Sequence, residues 1–256
     1  GTASGDHGSL TVSPTVRTGT ITNDDTAQFT INDVTLAEGN SGQTAFVFTV
    51  TLSQPVDVAV SVDAASANGT ATTADGDYAS LPATTLTFVP GGPLTQTVTV
   101  QVNGDMKVEG DETFAVNLSN LQSGGRSVTI ADAAGLGTIT NDDGASIRID
   151  DVTLSEGDSG TKAFVFTVTL SHAVDVAVSV DATTADGTAT AASGDYQALP
   201  TTTLTFLPGE SLSQTITVLV NGDLTVEANE TFRVLLSNLQ GNSGDVTIGD
   251  DTGLGT

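Results

Sequence analysis

The stretch Ala45-Phe46-Val47-Phe48-Thr49-Val50-Thr51-Leu52-Ser53 returns unchanged as Ala163 to Ser171. The offset, 163 minus 45, is 118 residues, and it governs the rest of the chain. Glu38-Gly39 recurs as Glu156-Gly157, Gly76-Asp77-Tyr78 as Gly194-Asp195-Tyr196, and Val102-Asn103-Gly104-Asp105 as Val220-Asn221-Gly222-Asp223. Glu112-Thr113-Phe114 recurs as Glu230-Thr231-Phe232. Within the quoted stretch Thr alternates with apolar residues, the pattern of a strand with one face on a core. Val56 to Val62 alternates as well, and Leu86-Thr87-Phe88, Val98 to Val102, Phe114 to Leu118, Val128 to Ile130 and Gly137 to Thr140 follow. Turn-forming runs separate them: Glu38 to Gly42, Asn68-Gly69, Pro90 to Pro93 and Ser123 to Gly125. Six or seven short strands in each repeat, with no helical periodicity, predict an all-β chain of tandem Ig-like Greek-key β-sandwiches. Phe46, Phe48, Phe88 and Phe114 are the expected core.

The ends of the pattern set the expected domains. Gly19 to Asp25 matches Gly137 to Asp143, so residues 1–25 read as the C-terminal strand region of a preceding repeat. Residues 26–143 read as repeat 1, and residues 144–256 as repeat 2 lacking its last strand, since Gly255-Thr256 matches Gly137-Thr138. The chain reads as a piece of a longer array. The junction Asn141 to Ala145 is short, which predicts modules lying close together. An open sheet edge is a template for strand addition. The match between residues 19–25 and 137–143 therefore predicts head-to-tail strand exchange, with the N-terminal segment of one molecule completing repeat 2 of another.

Composition narrows the function classes. The chain of 256 residues carries 31 Asp and Glu against 6 Lys and Arg, a net charge of −25. Six basic side chains cannot neutralise a phosphate backbone, which argues against nucleic acid and equally against an anionic membrane surface. No apolar run has the length of a membrane span, and Gly1 to Asp6 lacks the features of a signal peptide. Cysteine is absent, which removes disulfides, thiolate metal sites and thiol nucleophiles. Catalysis finds little support: His172 stands where the other copy has Gln54, and no Trp offers a sugar platform. The chain is expected not to be an enzyme.

The acids fall at strand ends and in turns: Glu38, Asp75, Asp77, Asp105, Glu109, Asp111, Glu112, Asp142 and Asp143 in repeat 1. A sandwich gathers its loops at two ends, so these carboxylates can meet. Hard oxygen donors in flexible turns suit Ca²⁺, which accepts six to eight oxygens; Mg²⁺ demands a stricter octahedron, and Zn²⁺ prefers Cys and His. No EF-hand or glycine-rich nonapeptide is present. The alternative is a solvated acidic surface. Asp57, Asp63, Asp175 and Asp181, in or near strands, read as solvated. Asp77 reads equally as a ligand or as a turn cap, and Asp33 and Asp151 as strand-start residues or as members of a neighbour's site.

Glu38-Gly39, Asn68 to Ala71, Gly76 to Tyr78, Glu109 to Phe114, Leu118 to Asn120 and Thr138 to Asp143 together resemble the Calx-β domain, in both copies and over nearly the whole repeat. The resemblance implies an Ig-like sandwich binding Ca²⁺ through acids at one end. It implicates as metal ligands Glu38, Asp77, Asp105, Glu109, Glu112, Asp142 and Asp143 in repeat 1, and Glu156, Asp195, Asp223, Glu227 and Glu230 in repeat 2. The exchanger members of the family carry three consecutive Asp where this chain has Asn103-Gly104-Asp105 and Asn141-Asp142-Asp143, which predicts fewer or weaker ions. Bacterial members recur in large secreted or surface proteins. The resemblance therefore implies a calcium-binding structural extender of an adhesin-like protein, outside the cell, with neighbouring repeats as partners. A carbohydrate- or protein-binding module and a regulatory calcium sensor are the alternatives.

Overall fold

The computed structural model describes residues 19–241 and 245–256, and no α-helix occurs among them. Repeat 1 contributes β1 (Ala27–Ile31), β2 (Val34–Ala37), β3 (Gly42–Leu52), β4 (Val60–Asn68), β5 (Tyr78–Ala79), β6 (Thr84–Phe88), β7 (Thr95–Gly104), β8 (Glu112–Gln122), β9 (Val128–Ile130) and β10 (Ala134–Thr140). Repeat 2 contributes β11 (Ala145–Ile149), β12 (Gly160–Leu170), β13 (Val178–Asp186), β14 (Thr202–Phe206), β15 (Ser213–Gly222), β16 (Phe232–Gln240), β17 (Val246–Ile248) and β18 (Thr252–Gly255). In repeat 1 the sheets run β5-β7-β3-β1-β9 and β2-β10-β8-β4-β6; in repeat 2 they run β15-β12-β11-β17 and β14-β13-β16-β18. Each repeat is an Ig-like β-sandwich, as the strand pattern predicts.

The alternation in β3 explains its place. Phe46, Phe48, Val50 and Leu52 are buried while Val47 faces out, so one face of the strand lines the core. The four phenylalanines expected in the core are buried there. Tyr78 joins them, stacked on Phe114 with ring centroids 4.6 Å apart, and Tyr196 stacks on Phe232 at 4.8 Å. The Tyr78 hydroxyl donates to Asn68 Oδ1 at 2.7 Å, which satisfies the polar end of a buried ring.

The segment before β3, where the sequence pattern named no strand, forms two: β1 pairs with β3 in one sheet, and β2 pairs with β10 in the other. Asn32 and Asp33 make the crossing by supplying side-chain acceptors to backbone groups that would otherwise lack partners. Thr49 N donates to Asn32 Oδ1 at 2.5 Å and Leu136 N to Asp33 Oδ1 at 2.7 Å. Asp150 and Asp151 repeat the device. Asp33 and Asp151 thus hold a strand crossover. One strand expectation is corrected: the run from Val56 to Ala59 is not part of β4, which begins at Val60; the equivalent run, Val174 to Ala177, lies outside β13 in the same way and pairs instead with Val108 of the other module.

The short junction brings the modules into contact. Between β10 and β11 lie only Asn141 to Gly144. Val108, from the loop after β7, is buried in the core of repeat 2 beside Val174 and bridges to it in parallel. Val108 N donates to Ala173 O at 2.9 Å, and Asp175 N donates to Val108 O at 3.1 Å. Residues 1–18 of the expected preceding strand lie outside the described residues, and Gly19 to Asp25 forms no strand.

Candidate metal centre

The loops after β2, after β7 and after β10, together with those before β5 and β8, meet at one end of repeat 1. Carboxylate oxygens of Glu38, Asp142 and Asp143 lie within 4.8 Å of one another, as do those of Asp77, Glu109 and Glu112. Gly104 allows the close approach: a Cβ there would stand 1.8 Å from Gly39 O, so the Asn103-Gly104-Asp105 turn passes against the Glu38-Gly39 turn only as glycine.

The first trio is held from outside. Gly39 N donates to Asp142 Oδ1 at 3.2 Å, and Asn40 Nδ2 donates to Asp143 Oδ1 at 2.6 Å. Glu38 and Asp143 are the two buried charged side chains among the described residues. Asp143 Oδ2 is buried with no hydrogen-bond partner. An unpaired buried carboxylate oxygen is costly, and a cation is the ligand it suits. Burial, then the charges of Glu109, Asp105, Asp143 and Asp142, push the Glu38 carboxyl up to about 7. Burial and the charges of Asp142 and Asp105 raise Asp143.

The second trio has a resident cation. Lys107 Nζ donates to Glu109 Oε1. Burial, followed by the charge of Asp77 and a hydrogen bond shared with it, pushes Glu112 up to about 7, while Lys107 opposes the rise. Asp77 also accepts from Thr72 N at 2.6 Å, so it caps its turn and faces the cluster at once. Asp105 belongs to neither trio; it accepts from Lys107 N at 2.6 Å and acts on Glu38 and Asp143 through its charge. Asp75 and Asp111 serve the loops, accepting from Thr72 Oγ1 at 2.8 Å and from Asn141 N at 3.2 Å.

Repeat 2 is looser. Among its described residues no three carboxylates approach as closely. Glu227 is exposed. Even so, Glu230 is raised, first by partial desolvation and then by the charges of Asp195, Glu227 and Glu156. Glu227 is raised by desolvation and by Asp223, Glu156 and Asp195. Asp195 is lowered, chiefly by a hydrogen bond from Ser193. A cavity of about 560 Å³ lies here, lined by Glu156, Asp195, Tyr196, Glu227, Glu230 and Phe232 among others.

Several roles escape a reading of loop positions. Lys107 and Asn40 sit in or against the cluster, and Lys107 was signalled by its place between Asp105 and Glu109. Asp63 and Asp181, read as solvated, tie strands together: Asp63 accepts from Thr85 Oγ1 at 2.5 Å and Asn120 Nδ2 at 2.7 Å, and Asp181 has the same partners in repeat 2. Asp57 pairs with Arg126 at 2.7 Å. Asp175 lies at the module junction, with Gly110 N donating to its Oδ2 at 3.2 Å.

The fit to a hard cation is good at Glu38, Asp142 and Asp143, where every donor is a carboxylate oxygen and one is buried without a partner. Two stretches of the chain, residues 20–143 and 140–252, match the Calx-beta domain. Comparison with curated proteins returns no match. Among solved structures, CBD12 from CALX1.2 is similar, with 19% identity over 89% of this chain and 98% of that one and a TM-score of 0.40. The calcium binding domain CBD12 of CALX1.1 has 20% identity over 85% of this chain and 82% of that one, with a TM-score of 0.40. The apo-form Calx CBD1 domain has 24% identity over 46% of this chain and 100% of that one, again at 0.40. Since the two matched stretches together span nearly the whole sequence, the chain belongs to the Calx-beta domain family as a tandem pair.

Proposed function

We propose that the chain binds Ca²⁺ at the acidic end of repeat 1 and serves as a structural extender of a large bacterial surface or secreted, adhesin-like protein. The observation that carries the calcium reading is the Glu38–Asp142–Asp143 set, with two buried acids and an orphaned Asp143 Oδ2. Like charges buried together destabilise a fold unless a cation or protons neutralise them. The extender role is supported by the junction. The acidic loop that holds Glu109 also sends Val108 into repeat 2, so an ion bound there would order the contact between modules. Neighbouring repeats are then the partners, and the extracellular space, where Ca²⁺ is abundant, is the proposed location. Head-to-tail strand exchange is supported by a contrast: Ile21 is fully exposed, while Ile139, its equivalent, is buried.

Calorimetric titration of the chain with CaCl₂, with MgCl₂ in parallel, tests the calcium reading. A saturable calcium isotherm with at least one site is expected. Neither heat nor a shift in melting temperature would leave the solvated-surface reading in its place. Deleting residues 1–25 and measuring mass by light scattering tests strand exchange, which requires the deletion to lower the mass.

A further inference from the structure

Val108 is buried, whereas Val226, its equivalent 118 residues on, is 99% exposed. Leu224 beside it is 81% exposed. The loop that docks repeat 1 onto repeat 2 therefore has a second copy, on repeat 2, with nothing against it among the described residues. The receiving side is duplicated too. Residues His172 to Asp175, which hold Val108, correspond to Gln54 to Asp57 of repeat 1. There a groove of about 680 Å³ opens, lined by Gln54, Pro55, Val56, Asp57, Arg126 and Val128 among others.

We infer that the Val226 loop of one copy of this chain docks into the Val56 groove of another. The occupant is a second copy because the same contact already exists once inside the chain. Both backbone bonds of the internal junction survive the sequence differences. Ala173 offers only its carbonyl to Val108 N, and Pro55, in its place, keeps a carbonyl although it lacks an N–H. Asp175 offers its N–H to Val108 O, and Asp57 has the same group. Among the described residues the Pro55 carbonyl has no backbone partner, and the Asp57 N–H is engaged only by its own carboxylate. The charges also follow. Asp175 has Lys107 of the docking loop nearby, whereas the second docking loop carries Thr225 at that position and Asp57 is instead paired with Arg126 of its own module. The contact is heterologous, so it propagates head to tail. It stands on this geometry and not on the calcium reading.

The test uses the whole chain at moderate salt, which screens a net charge of −25. In sedimentation velocity the wild-type mass is expected to rise with concentration. Val226→Asp, at a fully exposed position where folding is indifferent to it, is expected to weaken association about tenfold or more. The chain has no cysteine, so a second measurement is available. Under mild oxidation, Val226→Cys mixed with Val56→Cys is expected to form mixed disulfides well above the like-with-like products. A wild type that stays monomeric, a Val226→Asp variant that associates as well as wild type, or statistical cross-linking each overturns the inference. Calcium titration of Val226→Asp is read separately, so loss of either proposal leaves the other standing.

Discussion

Asn40 reaches across 103 positions of sequence to donate its side-chain N–H to Asp143 at 2.6 Å, and it leaves the second oxygen of that carboxylate buried and unpartnered. The pair shows how the site is made. Asn40 lies in the turn after β2 and Asp143 in the junction before β11, so only the closed sandwich brings them together. One oxygen is fixed by the protein, and the other has no hydrogen-bond partner.

That division predicts the effect of removing each acid. Asp143→Ala and Glu112→Ala are each expected to weaken calcium binding in repeat 1, and Asp57→Ala, whose carboxylate is exposed and paired with Arg126, is not. Calorimetry on the three variants checks this. Thermal melts add a second reading, because a ligand at a hundredfold excess over Kd stabilises the fold by about 2.7 kcal/mol. Asp143→Ala is expected to lose part of that calcium-dependent rise. Equal isotherms for all three variants would refute the assignment.

The raised carboxyls predict an unusual pH dependence. Glu38 titrates near 7 in the folded chain against an ordinary 4.5, and Glu112 likewise. A group raised on folding binds its proton more tightly in the native state. Its contribution is fully present below 4.5 and is lost as pH rises through about 7. Without metal, the melting temperature is therefore expected to fall between pH 5 and pH 8. The lowered carboxyls, Asp63 and Asp181 among them, act only at more acid pH, where they lose their contribution as pH falls. Saturating calcium is expected to abolish or reverse the fall, since the ion holds the same carboxylates ionised. Melts in EDTA and in CaCl₂ across that range decide it; a metal-free chain that gains stability toward pH 8 would contradict the shifts.

The legible part of this molecule was the part governed by local pattern. Alternation identified β3, β6, β7 and β8, and the phenylalanines in them are buried because a strand with Phe at every second position has one face to hide. The same rule misread Val56 to Ala59, whose alternation belongs to a groove at the module end. It also passed over the split of β1 from β2, which depends on side-chain bonds from Asn32 and Asp33 to distant strands. At the site, loop position predicted that the acids of repeat 1 would gather at one end, where six of the seven fall into two trios and Asp105 into neither. Which three oxygens converge depends on how the loops are clamped. The clamp is made by Asn40, Asn141 and Val108, whose partners lie far off in sequence or in the next module.

Gly104 predicts how tightly that clamp is drawn. Gly104→Ala places a methyl against Gly39 O and Glu38 O, backbone atoms that cannot swing aside. Overpacking of this kind costs about 1–3 kcal/mol. The variant is expected to melt lower and to bind calcium more weakly than wild type, because relief requires moving the turn that carries Glu38. A variant that melts lower yet keeps wild-type affinity would show that the two turns are not coupled.

Lys107 predicts the opposite coupling between stability and affinity. Its ammonium is the one cationic side chain paired with a member of the two acidic trios among the described residues, and it holds Glu109 while opposing the rise of Glu112. Repeat 2 has Thr225 in its place, which makes Lys107→Thr a substitution the same scaffold already accommodates. Without the ammonium, Asp77, Glu109 and Glu112 face one another with no internal counter-charge, so the metal-free protein is expected to melt lower. The same loss removes a cation that competes with Ca²⁺ for Glu109, so calcium is expected to bind roughly three- to tenfold tighter, the scale on which one neighbouring charge shifts a carboxylate. Lys107→Arg separates charge from shape, since it restores the charge with a different fork and is expected to return both properties toward wild type. If Lys107→Thr instead weakens calcium binding, the ammonium is acting as a brace that positions Glu109 and not as a competitor, and the cation belongs at Glu38, Asp142 and Asp143 alone.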